Sequence, residues 1–177
     1  MSLRATFRAA LLASVVGGLV LWAQGEQPAS DGWRPFTATW TLSGQRYLLP
    51  TEGERPASIV TLSGPLTITS GQGLGRGLLG QVIGFDDGGA LLAGRALFTD
   101  EHGDRIFCTL KAEPIGTGRR ANATITGGTG RFAELEGTFS FSWQYVVGAE
   151  GDELSGRAVN IEGRTRRGPS THGESSR

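Results

Sequence analysis

The stretch Thr124–Tyr145 reads T-I-T-G-G-T-G-R-F-A-E-L-E-G-T-F-S-F-S-W-Q-Y and decides the fold. It contains a glycine-rich turn at 127–130 and a short connecting segment at 131–136. The glycines with a predicted structural role are Gly127, Gly128, Gly130 and Gly137. The segment that follows alternates aromatic residues with small polar ones: Phe139, Phe141, Trp143 and Tyr145 against Ser140, Ser142 and Gln144. An alternation with a period of two predicts a β-strand that has one apolar and one polar face.

The rest of the chain repeats this combination of short two-faced strands and glycine turns. Glycine accounts for 29 of the 177 residues and is spread widely, which favours tight turns and kinked strands over helices. The predicted strands cover residues 36–42, 58–62, 66–70, 78–85, 90–99, 105–113, 119–126, 138–145 and 154–163, and the first of them continues over 46–49 if it passes a bulge. This spacing predicts an all-β domain, and closure into an antiparallel barrel of about eight strands would remove the exposed strand edges.

The sequence divides into four parts around this domain. Residues 1–25 are predicted to be an export signal, because Arg4 and Arg8 precede the mainly apolar run Ala9–Ala23 and a small-residue cleavage site. The run is shorter than the roughly 20 apolar residues that span a bilayer, and an uncleaved anchor is the alternative. Residues 26–33 then form a flexible leader, 34–163 the barrel domain and 164–177 a disordered tail. The mature protein is predicted to be periplasmic or secreted, without a membrane span.

Charge and cysteine content exclude several classes of function. Loss of the signal removes Arg4 and Arg8 and leaves 15 basic against 17 acidic residues, so no nucleic-acid-binding face is predicted. Cys108 is the only cysteine, which rules out an intramolecular disulfide and leaves stability to a hydrophobic core. Lys111 is the only lysine among 17 basic residues, which indicates the codon bias of a GC-rich bacterial genome.

Two glycine-rich strings suggest a nucleotide site, and both are rejected. The string G-Q-G-L-G-R-G at 71–77 lacks the helix that a phosphate loop requires, because a strand is predicted directly behind it. The string T-G-G-T-G at 126–130 lies late in the chain and precedes a strand, whereas a dinucleotide-binding fold places its glycines early and before a long helix. No cofactor is predicted.

The segment Ile125–Phe132, followed by Gly137 and an alternating strand, resembles the allene oxide cyclase and dirigent family of β-barrels. That family carries a G-G-[TA]-G-x-F turn, a glycine after four intervening residues, and then a strand. The sequences match closely over about 20 residues, and the order of predicted strands over 36–163 is compatible with the fold of that family. It implies a calycin-type, eight-stranded barrel with an apolar cavity, often trimeric, and hence a homotrimer or other homo-oligomer. The activity it implies is a cofactor-independent cyclisation or isomerisation of a small hydrophobic substrate.

Several strand residues are candidates for a functional site. The aromatic residues Trp40, Phe107, Phe139, Phe141, Trp143 and Tyr145 are the candidates for lining a ligand cavity, with core packing as the alternative. Glu113, Lys111 and Arg95 are the candidates for catalysis. Lys111 and Glu113 would pair inside the barrel if their face turned inward, but the opposite, apolar face of 105–113 is the more natural interior. Arg95 either binds an acidic head group or pairs with an acid across the sheet.

Cys108 and the stretch Asp100–Asp104 receive structural interpretations. No histidine is predicted beside Cys108 on a strand, so this residue is interpreted as a small buried hydrophobe. Asp100–Asp104 is interpreted as a solvated hairpin, because zinc needs more than one His or Cys and calcium needs a longer set of oxygen ligands. No metal site is predicted.

Three hypotheses for function follow. In the first, an exported bacterial β-barrel binds a small apolar or amphipathic molecule in its cavity without catalysis. In the second, the cavity folds a small hydrophobic substrate into a ring, and a buried ionisable residue, Glu113 first, would favour it. In the third, the chain is a structural or interaction protein of the cell envelope with no cavity.

Overall fold

The computed structural model describes residues 32–52, 56–87, 91–113, 120–147 and 152–168. The strands are β1 (Arg34–Leu49), β2 (Ala57–Gly71), β3 (Gly77–Asp87), β4 (Leu91–Thr99), β5 (Arg105–Glu113), β6 (Arg120–Gly128), β7 (Leu135–Val147) and β8 (Glu153–Arg167), and a short 3-10 helix, η1 (Gly130–Phe132), separates β6 from β7. The predicted signal, nearly all of the leader and most of the tail lie outside the described residues. Within the described ranges, no helix has the length and apolar character needed to cross a membrane.

The sheet closes on itself. Each strand pairs antiparallel with the next, and β8 pairs antiparallel with β1, so the eight strands form a closed barrel in chain order. In the closing pair, Ala38 lies opposite Ile161 and Ser43 lies opposite Ser155. This confirms the predicted all-β fold and the closed antiparallel barrel, in which every described strand has a neighbour on both sides.

β1 and β2 are longer than predicted and run through positions expected to break them. β1 continues without interruption to Leu49, and β2 passes through Gly64 and Pro65. The β1–β2 ladder skips Thr41 and Leu42, which lie opposite these two residues, so β2 passes its proline where the pairing is interrupted. A side chain on Gly64 would overlap the carbonyl oxygen of Thr41, which shows how closely the two backbones approach there.

The interior is an aromatic and aliphatic core. The predicted alternation is correct in β7, where Phe139 and Phe141 are each 5% exposed, and in β5, whose apolar face is buried. Trp40 lies at the centre with its ring centroid 4.9 Å from that of Phe98 and 6.2 Å from that of Phe141. Its indole Nε1 donates a hydrogen bond of 3.0 Å to the carbonyl oxygen of Gly64. These contacts make the rings a single packed cluster.

One end of the barrel is closed by η1 and the β4–β5 turn. Phe132 of η1 joins the core, and the buried side chain of Asp100 forms an ion pair of 2.7 Å with Arg131. The carboxylate also accepts hydrogen bonds from the backbone N–H groups of His102 and Asp104. Burial by itself raises the pKa of Asp100, but these hydrogen bonds and Arg131 outweigh it and hold that pKa below its ordinary value. The stretch expected to be a solvated hairpin therefore contains a buried structural carboxylate.

β8 extends four residues beyond the predicted end of the domain. Thr165 Oγ1 donates a hydrogen bond of 2.8 Å to the carbonyl oxygen of Gly73, and Arg166 forms an ion pair of 2.9 Å with Glu136. The guanidinium carbons of Arg164 and Arg166 lie 4.8 and 4.6 Å from the centroid of the Trp33 ring. These contacts with residues distant in sequence order a segment that its polar composition alone assigns to a tail.

Candidate functional site

The barrel interior beside the closed end is filled by side chains. It encloses a void of about 10 Å³, surrounded by Phe36, Leu66, Leu74, Leu78, Phe98, Ile106, Cys108, Ile125 and Phe139. A cavity of roughly 10–15 Å³ holds no more than one water molecule. This half of the interior therefore has no room for a ligand.

The aromatic candidates separate into different environments. Trp40, Phe139 and Phe141 belong to the packed core, and Trp143 is half-buried against it. Phe107 lies on the outer face of β5 with 39% of its surface exposed. Tyr145 lies on β7, but its side chain is outside the described part of the structure. Core packing is therefore the role that the structure gives to the three most buried candidates.

Cys108 is expected to be chemically inert in the folded protein. It is 1% exposed, and burial raises the pKa of its thiol to about 12, so the reactive thiolate is scarce below about pH 10. Iodoacetamide at pH 8 should leave the native protein unmodified and label one site after unfolding in guanidinium chloride, as measured by intact mass. Rapid labelling of the native protein would contradict the buried position of Cys108.

The three charged candidates all lie on the outer wall of the barrel. Glu113 is 3.6 Å from Arg120 on the neighbouring strand and accepts a hydrogen bond from Asn122. Lys111 is exposed and does not pair with Glu113. Arg95 lies opposite Ile83 on one side and Thr109 on the other, so it has no acid beside it in the sheet. The arrangement that would have favoured an internal catalytic carboxylate, Glu113 facing inward, is not the one observed.

Arg95 and Lys111 are brought together in a depression that we call the outer-wall groove. It has a volume of about 440 Å³ and is lined by Ile59, Ile83, Gly84, Phe85, Ala93, Gly94, Arg95, Thr109, Leu110 and Lys111. Gly84 and Gly94 lie directly opposite each other across β3 and β4, so backbone forms part of the floor. Strand register then places the apolar side chains of β2 and β3 on one side and the cations of β4 and β5 on the other.

The chemistry of the outer-wall groove is unusual for a solvent-facing surface. Ile59, Ile83 and Phe85 are 49%, 62% and 43% exposed, and they adjoin one another on two neighbouring strands. Arg95 and Lys111 make no ion pair or hydrogen bond within the described ranges. The three side chains form a contiguous apolar surface beside two cations that have no partner among the described residues. The volume falls within the roughly 300–1,000 Å³ of small-molecule sites.

The sequence prediction missed Ile59, Ile83 and Phe85 as site residues. A signal was present, because Leu78 and Leu79, and again Val82 and Ile83, are adjacent apolar residues on one strand. Adjacent strand residues face opposite sides of the sheet, so such pairs place an apolar side chain on each face. Since Leu78 and Val82 pack in the core, their neighbours Leu79 and Ile83 lie on the outer wall.

A further cation lies on β1 towards the end of the barrel opposite η1. Arg46 is in phase with the inward-facing residues Trp40 and Leu42, and its Nε atom is buried without a hydrogen-bond partner. A buried polar atom of this kind requires an explanation. Arg46 is therefore a second candidate for contact with an anionic group.

The fold and the groove define the class of protein: a closed, eight-stranded antiparallel β-barrel with a ligand-sized depression on its outer wall. Among the described residues, no three His, Cys, Asp or Glu side chains are grouped closely enough to hold a metal ion. A scan against protein-family models and a search of curated proteins found no match. The resemblance of 125–132 to the allene oxide cyclase and dirigent family therefore stays a prediction that rests on that segment.

Proposed function

We propose that the protein is an exported, non-catalytic β-barrel that binds a small amphipathic anion in the outer-wall groove. The observation that carries this proposal is the juxtaposition of Arg95 and Lys111, which have no partner among the described residues, with the exposed side chains of Ile83 and Phe85. Export rests on the signal predicted at 1–25. The ligand is the amphipathic one expected from the sequence, but its proposed position is the wall rather than the interior.

The charge of the proposed ligand follows from the surroundings of the two cations. Glu113, the acid on the same strand as Lys111, already pairs with Arg120 and Asn122, so it does not neutralise Lys111. An anionic head group would supply charge-assisted hydrogen bonds to Arg95 and Lys111. The apolar part of the ligand would cover Ile83 and Phe85 and remove their surface from water.

Decanoate titration by isothermal calorimetry, with decanol as the uncharged comparison, tests the proposal. We expect decanoate to bind to the wild-type protein and decanol to bind more weakly. The double variant Arg95→Gln/Lys111→Gln should bind decanoate about tenfold to a hundredfold more weakly, because two charged hydrogen-bond donors are lost. The control Arg76→Gln/Arg157→Gln removes two exposed arginines from elsewhere on the barrel and should bind as the wild type does.

Two outcomes would contradict the proposal in different ways. If Arg46→Gln alone abolishes decanoate binding, the anion binds at the end of the barrel and the outer-wall position is wrong. If decanoate does not bind and native mass spectrometry of the protein from its own periplasm or medium shows no ligand, ligand binding itself is wrong.

We also propose that copies of the chain associate, as the family resemblance implies. Support comes from the exposed apolar side chains outside the groove, of which Leu79 is 54% exposed. The expected assembly is the homotrimer or other homo-oligomer that the resemblance of 125–132 implies. The same native mass spectrum reports the number of chains, and a monomer at micromolar concentration would refute association.

A further inference from the structure

A second concavity, which we call the polar groove, lies on a different part of the outer wall. It has a volume of about 780 Å³ and is lined by residues that include Thr37, Ser70, Asn122, Thr138, Glu162 and Arg164. These residues come from β1, β2, β6, β7 and β8, whereas the outer-wall groove lies on β2 to β5. The two sites share no residue.

Strand register arranges the outward side chains of the polar groove in two adjacent rows. One row crosses five strands and consists of Asn122, Ser140, Glu162, Thr37 and Ser70, each opposite the next. The other row consists of Thr124, Thr138 and Arg164. Such rows present hydroxyl, amide, carboxylate and guanidinium groups at the regular spacing of neighbouring strands.

Irregular strand pairing coincides with the polar groove. The register shifts between Thr37 and Ala38 in β1–β2 and between Ser140 and Ser142 in β7–β8. Asn160 has φ 52°, a left-handed conformation that asparagine adopts more readily than most residues. Bulges bend the bulged strand and re-aim its side chains, which accounts for a concavity on the outside of a barrel.

Part of the polar groove is already organised, and part is free to bind. Thr37 Oγ1 lies 2.8 Å from Thr69 Oγ1, and Arg120 donates a hydrogen bond of 2.7 Å to Ser140 Oγ. In contrast, the side chains of Glu162, Thr124 and Thr138 make no hydrogen bond or ion pair within the part of the chain that the structure describes. Among the described residues, the groups without a partner therefore include a carboxylate and two hydroxyls in register with Arg164, whose guanidinium also packs on the Trp33 ring.

We infer that the polar groove binds a neutral oligosaccharide. Glu162 and Arg164 balance each other in charge, and the remaining groups are hydroxyls and an amide that donate and accept hydrogen bonds. Sugar hydroxyls offer the same two functions in adjacent pairs, so they match a carboxylate acceptor beside a guanidinium donor. Thr124 and Thr138 are exposed and lie opposite each other, so their hydroxyl groups can contact one sugar ring.

Other ligand classes fit the polar groove less well. A nucleic acid or a free phosphate requires an excess of positive charge, and the groove carries one acid and one base. An extended peptide that adds a strand requires a free sheet edge, and the barrel is closed. A mainly apolar ligand would leave Glu162 and Arg164 without hydrogen-bond partners.

Calorimetric titration of the full chain with maltohexaose, cellohexaose and chitohexaose tests the inference. At least one of these three neutral probes should bind to the wild-type protein. Glu162→Gln should weaken that binding by about tenfold through loss of a charged acceptor, and Thr138→Val should weaken it less. The matched control Thr67→Val, at an exposed position on β2 outside the groove, and the double variant Arg95→Gln/Lys111→Gln should both bind as the wild type does.

The same titrations identify the results that overturn the inference. Failure of all three hexasaccharides to bind, or equal binding by wild type and Glu162→Gln, would do so, as would binding of only an acidic hexasaccharide such as hexagalacturonate. Thermal unfolding of each variant shows whether the fold is retained. Decanoate binding and hexasaccharide binding are tested with different variants. If no hexasaccharide binds, the proposal for the outer-wall groove stands, and if decanoate does not bind, the inference for the polar groove stands.

Discussion

Replacement of Trp40 by alanine is expected to lower the free energy of unfolding by about 3–5 kcal/mol, the range for large aromatic residues removed from a core. Trp40 is 1% exposed, and its ring contacts Phe98 and Phe141 across the barrel. Alanine would leave a cavity that closed strands cannot collapse to fill. It would also leave the carbonyl oxygen of Gly64 without its indole donor.

Urea denaturation followed by circular dichroism measures this effect. Trp33→Ala is the matched control, because Trp33 is only half-buried and packs on arginine side chains at the surface. We expect a loss of no more than about 1 kcal/mol for the control, in line with exposed cation–π contacts. Similar losses for Trp33→Ala and Trp40→Ala would refute the central position of Trp40.

Replacement of Gly163 by valine is expected to cost about 1–3 kcal/mol or more by overpacking the interior. A Cβ atom at this position would lie 2.5 Å from Cβ of Phe139 and 2.6 Å from Cζ of Phe36. Phe139 cannot retreat easily, since it also contacts the rings of Phe98 and Phe141. The strain therefore has to be taken up by the core or by β8.

Gly77→Val supplies the comparison for this substitution. A Cβ atom at Gly77 meets no atom within 4 Å, and the residue has no left-handed backbone conformation to lose. Valine suits a strand, so the control should be neutral or slightly stabilising. If the urea midpoint falls equally for Gly163→Val and Gly77→Val, the close contacts around Gly163 are not the cause of the loss in stability.

The strands whose sequence alternates regularly were predictable. β5 has the predicted bounds, and its alternating apolar face is buried, as are Phe139 and Phe141 of β7, because a period of two assigns each residue to a face by itself. β2 and β8 were predicted too short for a different reason. Whether β2 continues past Pro65, or β8 past Gly163, depends on partners such as Thr41, Gly73 and Trp33 that only the folded sheet brings near.

The candidate sites were less predictable than the fold. Arg95 was recognisable as a charge among apolar neighbours, but the choice between an acid partner and a ligand depends on the residues opposite it. The register places Ile83 and Thr109 there, and neither residue is acidic. The polar groove depends on bulges and on the register of five strands, which no local pattern specifies.

The closure of the sheet by β1 and β8 around a packed aromatic core is the feature on which both proposed outer-wall sites depend. Cross-strand nuclear Overhauser effects in isotope-labelled protein test it most directly. We predict contacts between Ala38 and Ile161 and between Ser43 and Ser155, together with slow hydrogen exchange along this strand pair. Absence of both contacts, with β1 and β8 amides that exchange as rapidly as free edges, would contradict the closed barrel.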